Sequence, residues 1–145
     1  MNYRVALGAD HAGFELKEKI KSQLEDSGHF IDDFGTYSDE SVDYPDFVHP
    51  VATAIENKEY DFGILVCGSA NGVAITANKH KGIRAAICWN EMLAKLARSH
   101  NDANILCLAG RVIDYELAKE IVNVFLSTKF DGGRHQRRID KMNSY

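Results

Sequence analysis

The sequence predicts a doubly wound, Rossmann-like α/β fold, a three-layer sandwich on a parallel sheet of about five strands. Two observations predict it. Short, continuous apolar runs alternate with stretches of helical periodicity along the whole chain. The runs also lack the alternation of polar and apolar residues that marks a half-exposed strand, so crossover helices are expected on both faces of the sheet.

The first run lies around Val5 in "RVAL", after a start with no signal-peptide apolar core. Phe14, Leu16, Ile20 and Leu24 then recur at spacings that suit one helix face, and "HFIDDFG" completes a βαβ opening. The segment "GTYSDESVDYPD" (35–46) is too polar for core and too long for a simple connector; a functional loop and a solvated one fit it equally. The next helix is expected over 48–57, with Pro50 in its first turn, because an interior proline would kink it. "FGILV" (62–66) follows, then a helix of small residues to about Asn78 and the run "IRAAIC" (83–88). A helix carrying Met92, Leu93, Leu96 and Ala97 leads to "NILCLAG" (104–110), and a last long helix runs over about 114–127. From about residue 130 the tail is basic, and its Gly-Gly break can start a short terminal helix.

The 145 residues fit one domain over 1–145, long enough to bury about two-thirds of the surface of the unfolded chain. A 45% hydrophobic composition with two prolines and no low-complexity tract implies order nearly end to end. The net charge of −4 argues against a nucleic-acid partner held by a broad basic face, and no apolar run is long enough to span a bilayer. Cys67, Cys88 and Cys107 are odd in number, widely spaced and set in apolar runs. They form neither a disulfide framework nor a zinc pattern, so a reducing cytoplasm is expected.

In an open parallel sheet, ligands collect at the carboxyl ends of the strands, where loops meet helix N-termini. The residues just after the strands are Asp10 and His11 in "GADHAGF", the turn "CGSANG" from Cys67, and Arg111 in "AGR". Each has a bland reading: Asp10 or Ser69 as a helix cap, Arg111 as a surface charge. Their common placement on one rim favours a site. The turn lacks the Lys-Ser or Lys-Thr of a Walker loop and the full dinucleotide fingerprint, which leaves an N–H-rich turn suited to an oxyanion. Cys67 stands at its lip, where a helix N-terminus favours a thiolate, whereas Cys88 and Cys107 fit inert core positions. "SHNDAN" (99–104) groups His100, Asn101, Asp102 and Asn104. These residues suit either a helix-ending turn or contacts to sugar hydroxyls, with His100 able to move a proton near neutral pH.

"GADHAGFELK", "DYPDF", "CGSANGVAITANKHKGIRAAIC", "HNDANILCLAGR" and "GGRHQRR" occur in one order. By these motifs, nearly the whole chain resembles the ribose-5-phosphate isomerase B and galactose-6-phosphate isomerase family. The resemblance implies an aldose–ketose isomerase that acts on a phosphorylated sugar without cofactor or metal. It also implies a homodimer or homotetramer with active sites at the subunit interface. It makes Cys67 the base at C2 of the sugar, Ser69 the hydroxyl that moves protons between the enediol oxygens, and His100 the residue that opens the furanose ring. The turn amides from Gly68 through Ala70 and Asn71 to Gly72 surround the substrate, with Asp10 and Asn101 nearby. His11, Arg134 and Arg138 match phosphate-binding positions, and Tyr44 and Arg111 match pocket positions.

Proton removal next to a carbonyl needs a placed base and a stabilised enediolate, and "CGSANG" offers both. Two departures stand out. Ala70 occupies a position where many members have glycine, and Val73 one where some carry a glutamate base, so Cys67 is the only evident base of the turn. Alternative readings are an isomerase of galactose 6-phosphate or allose 6-phosphate, and a phosphate-binding module without turnover. Simple binding does not need Cys67.

Overall fold

The computed structural model describes residues 1–145. Strand β1 (Arg4–Ala9), helix α1 (Phe14–Asp26) and strand β2 (Phe30–Asp33) form the opening unit. Helix α2 (Pro45–Glu56), strand β3 (Phe62–Cys67), helix α3 (Asn71–Ala77) and strand β4 (Ala85–Ile87) follow. Helix α4 (Glu91–Ser99), strand β5 (Ile105–Ala109), helix α5 (Tyr115–Ser127) and helix α6 (Arg134–Asn143) complete the chain. The five strands are all parallel, in the order β2-β1-β3-β5-β4.

Burial follows the apolar pattern of the sequence. Every residue of β3 and β5 is buried, and so is β1 after Arg4. Alternate strand residues point to opposite faces. Val5, Leu7, Ile64, Val66, Leu106 and Leu108 therefore pack with α1, α4 and α5, the last contributing Ile121, Val122 and Phe125. Ala6, Leu65, Cys67, Ile105 and Cys107 face the other way, towards Val48, Val51 and Ile55 of α2 and Val73 and Ala77 of α3. Each larger side chain here contributes about 1.5–3 kcal/mol by leaving water.

Helices α4 and α5 start where short polar side chains cap them. Asn90 Oδ1 accepts from the Leu93 N–H at 2.9 Å, and Asp114 Oδ1 from the Leu117 N–H at 2.9 Å. Helix α2 corrects the expectation from proline. It begins at Pro45, and Pro50 lies inside it rather than in its first turn. Pro45 supplies a first-turn residue that needs no N–H, and Pro50 sits on the exposed face, where water can satisfy the Asp46 carbonyl that loses its helical partner.

The chain runs from β1 outward to β2 and then returns past β1 to β3, so the winding direction reverses between β1 and β3. Ala9 pairs with Val66 and Cys67 with Ala109, which aligns the carboxyl ends of the three central strands. The loop after β1 crosses directly over β3. A Cβ on Gly13 would lie 2.3 Å from the Val66 carbonyl oxygen, so only glycine lets α1 begin there. Gly13→Ala is expected to destabilise the fold by about 1–3 kcal/mol. In urea unfolding this lowers the midpoint at an unchanged slope.

Candidate active site

At the carboxyl rim, Asp10 is buried, and its Oδ1 accepts from the N–H groups of Ala12 (3.0 Å) and Gly13 (3.1 Å). It thus shapes the turn into α1. His11 Nδ1 accepts from the Val42 N–H at 3.2 Å. In the neutral ring the proton is then on Nε2, which makes that nitrogen a donor. Val42 belongs to the 34–44 loop, whose end carries Tyr44. The Tyr44 ring lies against Gly72, where a Cβ would come within 2.6 Å of it.

Cys67 is 4% exposed and ends β3. The following turn is tied to the β5 turn by Gly110 N–H to the Cys67 carbonyl (2.8 Å) and Arg111 N–H to the Gly68 carbonyl (3.1 Å). Arg111 lies across Gly68, and a Cβ there would be 3.2 Å from its Cδ. Ser69 is exposed and its Oγ accepts from the Asn71 N–H at 3.3 Å. Ala70 is fully buried at φ 68° and ψ −14°, the left-handed region that favours glycine. Burial pushes the Cys88 thiol up to about 12 and the Cys107 thiol well above its usual range, consistent with inert core positions.

His100, Asn101, Arg134 and Arg138 lie elsewhere. His100 follows the last turn of α4, which ends at the amino edge of the sheet, and the Asp131 N–H bonds to the Ser99 carbonyl at 3.0 Å, bringing the start of α6 there too. The His100 and His135 rings stack at 4.2 Å and 14°. Arg134 and Arg138 are exposed and one helical turn apart on α6. Asp102 and Asn104 build the turn instead of facing a ligand. Arg98 Nη1 bonds to Asp102 Oδ1 at 2.8 Å, while Asn104 accepts from the Arg84 N–H and donates to the Gly82 carbonyl, both at 2.8 Å. The side chains of His100 and Asn101 take no part in these turn hydrogen bonds.

Nitrogen and oxygen atoms of His100, Asp131 and His135 lie within 4.8 Å of one another. The stacked imidazoles hold their lone pairs in near-parallel planes, so the two nitrogens do not converge on one ion. A cavity of about 660 Å³ also lies at this edge, lined by Lys79, Arg84, Asn101 and Met142 among others. It does not include Cys67. Strand β5 has five residues, which at about 3.3 Å each separates the two edges by roughly 16 Å.

The sequence model described as ribose/galactose isomerase matches residues 5–142. The chain belongs to the ribose/galactose isomerase family. It is 45% identical to ribose-5-phosphate isomerase B of Escherichia coli over 137 residues, 94% of this chain and 92% of that one. A ribose 5-phosphate isomerase from Thermotoga maritima has the same fold, with a TM-score of 0.98 and 54% identity over all of both chains. Ribose-5-phosphate isomerase B from Mycoplasma genitalium, solved with bound ribulose-5-phosphate, gives a TM-score of 0.93 and 43% identity over 98% of this chain and 95% of that one.

Within this family member, two neighbours of the candidate residues carry no spacing signal in the sequence. The Val42 N–H on His11 is a backbone group, and His135 stands as a single imidazole among arginines. Burial, followed by the charges of His100 and Arg134, holds His135 below the ordinary histidine range. Its stabilising contribution is therefore complete above about pH 6.5 and is lost as pH falls through its lower folded value, because the unfolded chain binds the proton first. His135→Phe is expected to flatten that part of the stability–pH curve, read by urea midpoints across pH 4–8. Ala70→Gly is expected to leave stability within about 1 kcal/mol of wild type, because the left-handed strain removed is offset by the buried methyl lost and by the added freedom of glycine when unfolded. Thermal unfolding measures the balance.

Proposed function

We propose that the chain is a cofactor-independent isomerase that interconverts ribose 5-phosphate and ribulose 5-phosphate. The observation that carries this reading is Cys67 at the end of β3, directly before a turn of bare backbone. The bound ribulose-5-phosphate of the Mycoplasma genitalium relative supports the five-carbon substrate.

In the open-chain aldose, the Cys67 thiolate takes the proton from C2. The C–H electron pair becomes the C1–C2 double bond, and the C1 carbonyl becomes the enediolate oxygen. Amides of the Gly68–Gly72 turn hold that charge, and the Ser69 hydroxyl passes a proton between O2 and O1. Return of the proton to C1 leaves the C2 carbonyl of the ketose. Asp10 and Tyr44 fix the walls of the site, and Arg111 closes it across Gly68. His11 offers Nε2–H to the phosphate, Arg134 and Arg138 supply charge-assisted forks to it, and His100 handles ring opening with Asn101 beside the substrate.

These residues stand at two edges of a parallel sheet, so one chain holds two half-sites. A two-fold axis perpendicular to the strands reverses their direction, which sets the amino edge of one copy beside the carboxyl edge of the other. Exposed Ile75, Trp89 and Met92, on α3 and around β4 and α4, suit such a contact. The working unit is then a homodimer, or a homotetramer of such dimers. Three free, buried cysteines support a cytoplasmic setting.

An assay of five- and six-carbon aldose phosphates, without added metal, is expected to give fastest turnover with ribose 5-phosphate. Cys67→Ala should lower that turnover by about 10²-fold or more while ribose 5-phosphate still binds within a few fold. Unchanged turnover would instead remove Cys67 from the chemistry. Arg138→Ala should weaken ribose 5-phosphate about ten- to a hundredfold and leave unphosphorylated ribose unaffected. Mixing Cys67→Ala with Arg138→Ala subunits after dissociation should restore about a quarter of wild-type activity at limiting substrate, since half the dimers then carry one intact site. No recovery after verified subunit exchange would exclude a site shared between copies.

A further inference from the structure

We propose that Lys17 is a positioning residue for the substrate site, acting through Asp33 on the 34–44 loop. The inference rests on the isomerase reading for its kinetic consequence, though not for its structural one.

Lys17 is 1% exposed, in a helix whose other deeply buried positions are apolar apart from Gln23. A lysine this deep needs a partner, and Lys17 has one in Asp33 at the end of β2. Its Nζ lies 2.7 Å from Asp33 Oδ1 and 2.6 Å from Oδ2, with Glu18 Oε1 at 3.0 Å. The ammonium also sits 5.5 Å from the Phe14 ring centroid and 5.6 Å from that of Tyr37, itself a loop residue. Lys21 reaches the same carboxylate at 3.5 Å.

From Asp33 the constraint passes into the loop. Its Oδ1 accepts from the Gly35 N–H at 2.9 Å, and its carbonyl accepts from the Tyr37 hydroxyl at 3.0 Å. The next residues are stitched to the end of β1, by Ala9 N–H to the Gly35 carbonyl (2.8 Å) and Thr36 N–H to the Ala9 carbonyl (2.7 Å). Ala9 immediately precedes Asp10 and His11. Further along, the loop delivers the Val42 N–H to His11 Nδ1 and the Tyr44 ring to Gly72. One buried cation thus anchors the segment that sets both the donor face of His11 and one wall of the site.

Burying such a pair is not an efficient route to stability, because an apolar pair of similar volume often does as well or better. What an apolar pair does not offer is direction. The Asp33 carboxylate accepts the Gly35 N–H, which no apolar side chain can do, and the buried Lys17 ammonium holds that carboxylate in place.

The test compares wild type, Lys17→Met and the double variant Lys17→Met/Asp33→Leu, which removes both charges of the buried pair. Hydrogen–deuterium exchange of the 34–44 amides, binding of inorganic phosphate and the kinetics of ribose 5-phosphate isomerisation are measured for each. The double variant is expected to melt near wild type yet exchange its loop amides at least tenfold faster and bind phosphate about tenfold more weakly. KM should rise by about the same factor, with kcat within about threefold, since the reacting groups on the Cys67 turn are untouched. A double variant with wild-type exchange and phosphate affinity would overturn the proposal and make Lys17 a purely structural residue. Loop exchange and phosphate binding need no turnover, so a wild-type chain inactive on ribose 5-phosphate would defeat the isomerase reading while leaving this inference to be decided by those two measurements. Loss of folding in Lys17→Met alone does not affect the comparison, because the double variant carries it.

Discussion

Five strands run in one direction, and most of what the molecule can do is constrained by that. Parallel pairing of β1, β3 and β5 sets three strand ends in line, Ala9 beside Val66 and Cys67 beside Ala109. Three loops must then share one rim. The same parallelism sends every helix back to the opposite edge before the next strand begins, so α4 releases His100 as far from Cys67 as the sheet is long. Association of copies is therefore a geometric requirement of the proposed chemistry.

The rim is built by removing side chains more than by adding them. Gly13 lets a loop cross the Val66 carbonyl, Gly68 lets Arg111 lie across the Cys67 turn, and Gly72 receives the face of Tyr44. Where the chain keeps a methyl group, at Ala70, it does so in a left-handed conformation that the surrounding contacts hold.

Much of this was legible in the residues, for definite physical reasons. "FGILV" and "NILCLAG" read as central strands because strands buried on both faces must be continuously apolar, and both proved wholly buried. Helix α6 could be placed after Gly133 because the glycine pair breaks the chain just before a basic stretch. The start of α2 is not legible in the sequence because solvent, which no local pattern reports, tolerates Pro50 on an exposed helix face. Likewise, "SHNDAN" offers five polar side chains, and only the fold assigns Asp102 to Arg98 and Asn104 to the Arg84 and Gly82 backbone. Strand order is not written locally either: β5 inserts between β3 and β4, a long-range choice made by burial. Lys17 is the extreme case, since a lysine on an amphipathic helix reads as surface until its partner, 16 residues away, is known.

The brevity of β4 has its own consequence. With three residues, all paired to β5 on one side, it presents only a few unpaired backbone groups on the other. That is too little for a second molecule to extend the sheet by main-chain hydrogen bonding, and the opposite edge, β2, carries Asp32 and Asp33. Neither border can template runaway strand addition. Apolar side chains around β4 can meet another copy through helices, without strand addition across the border.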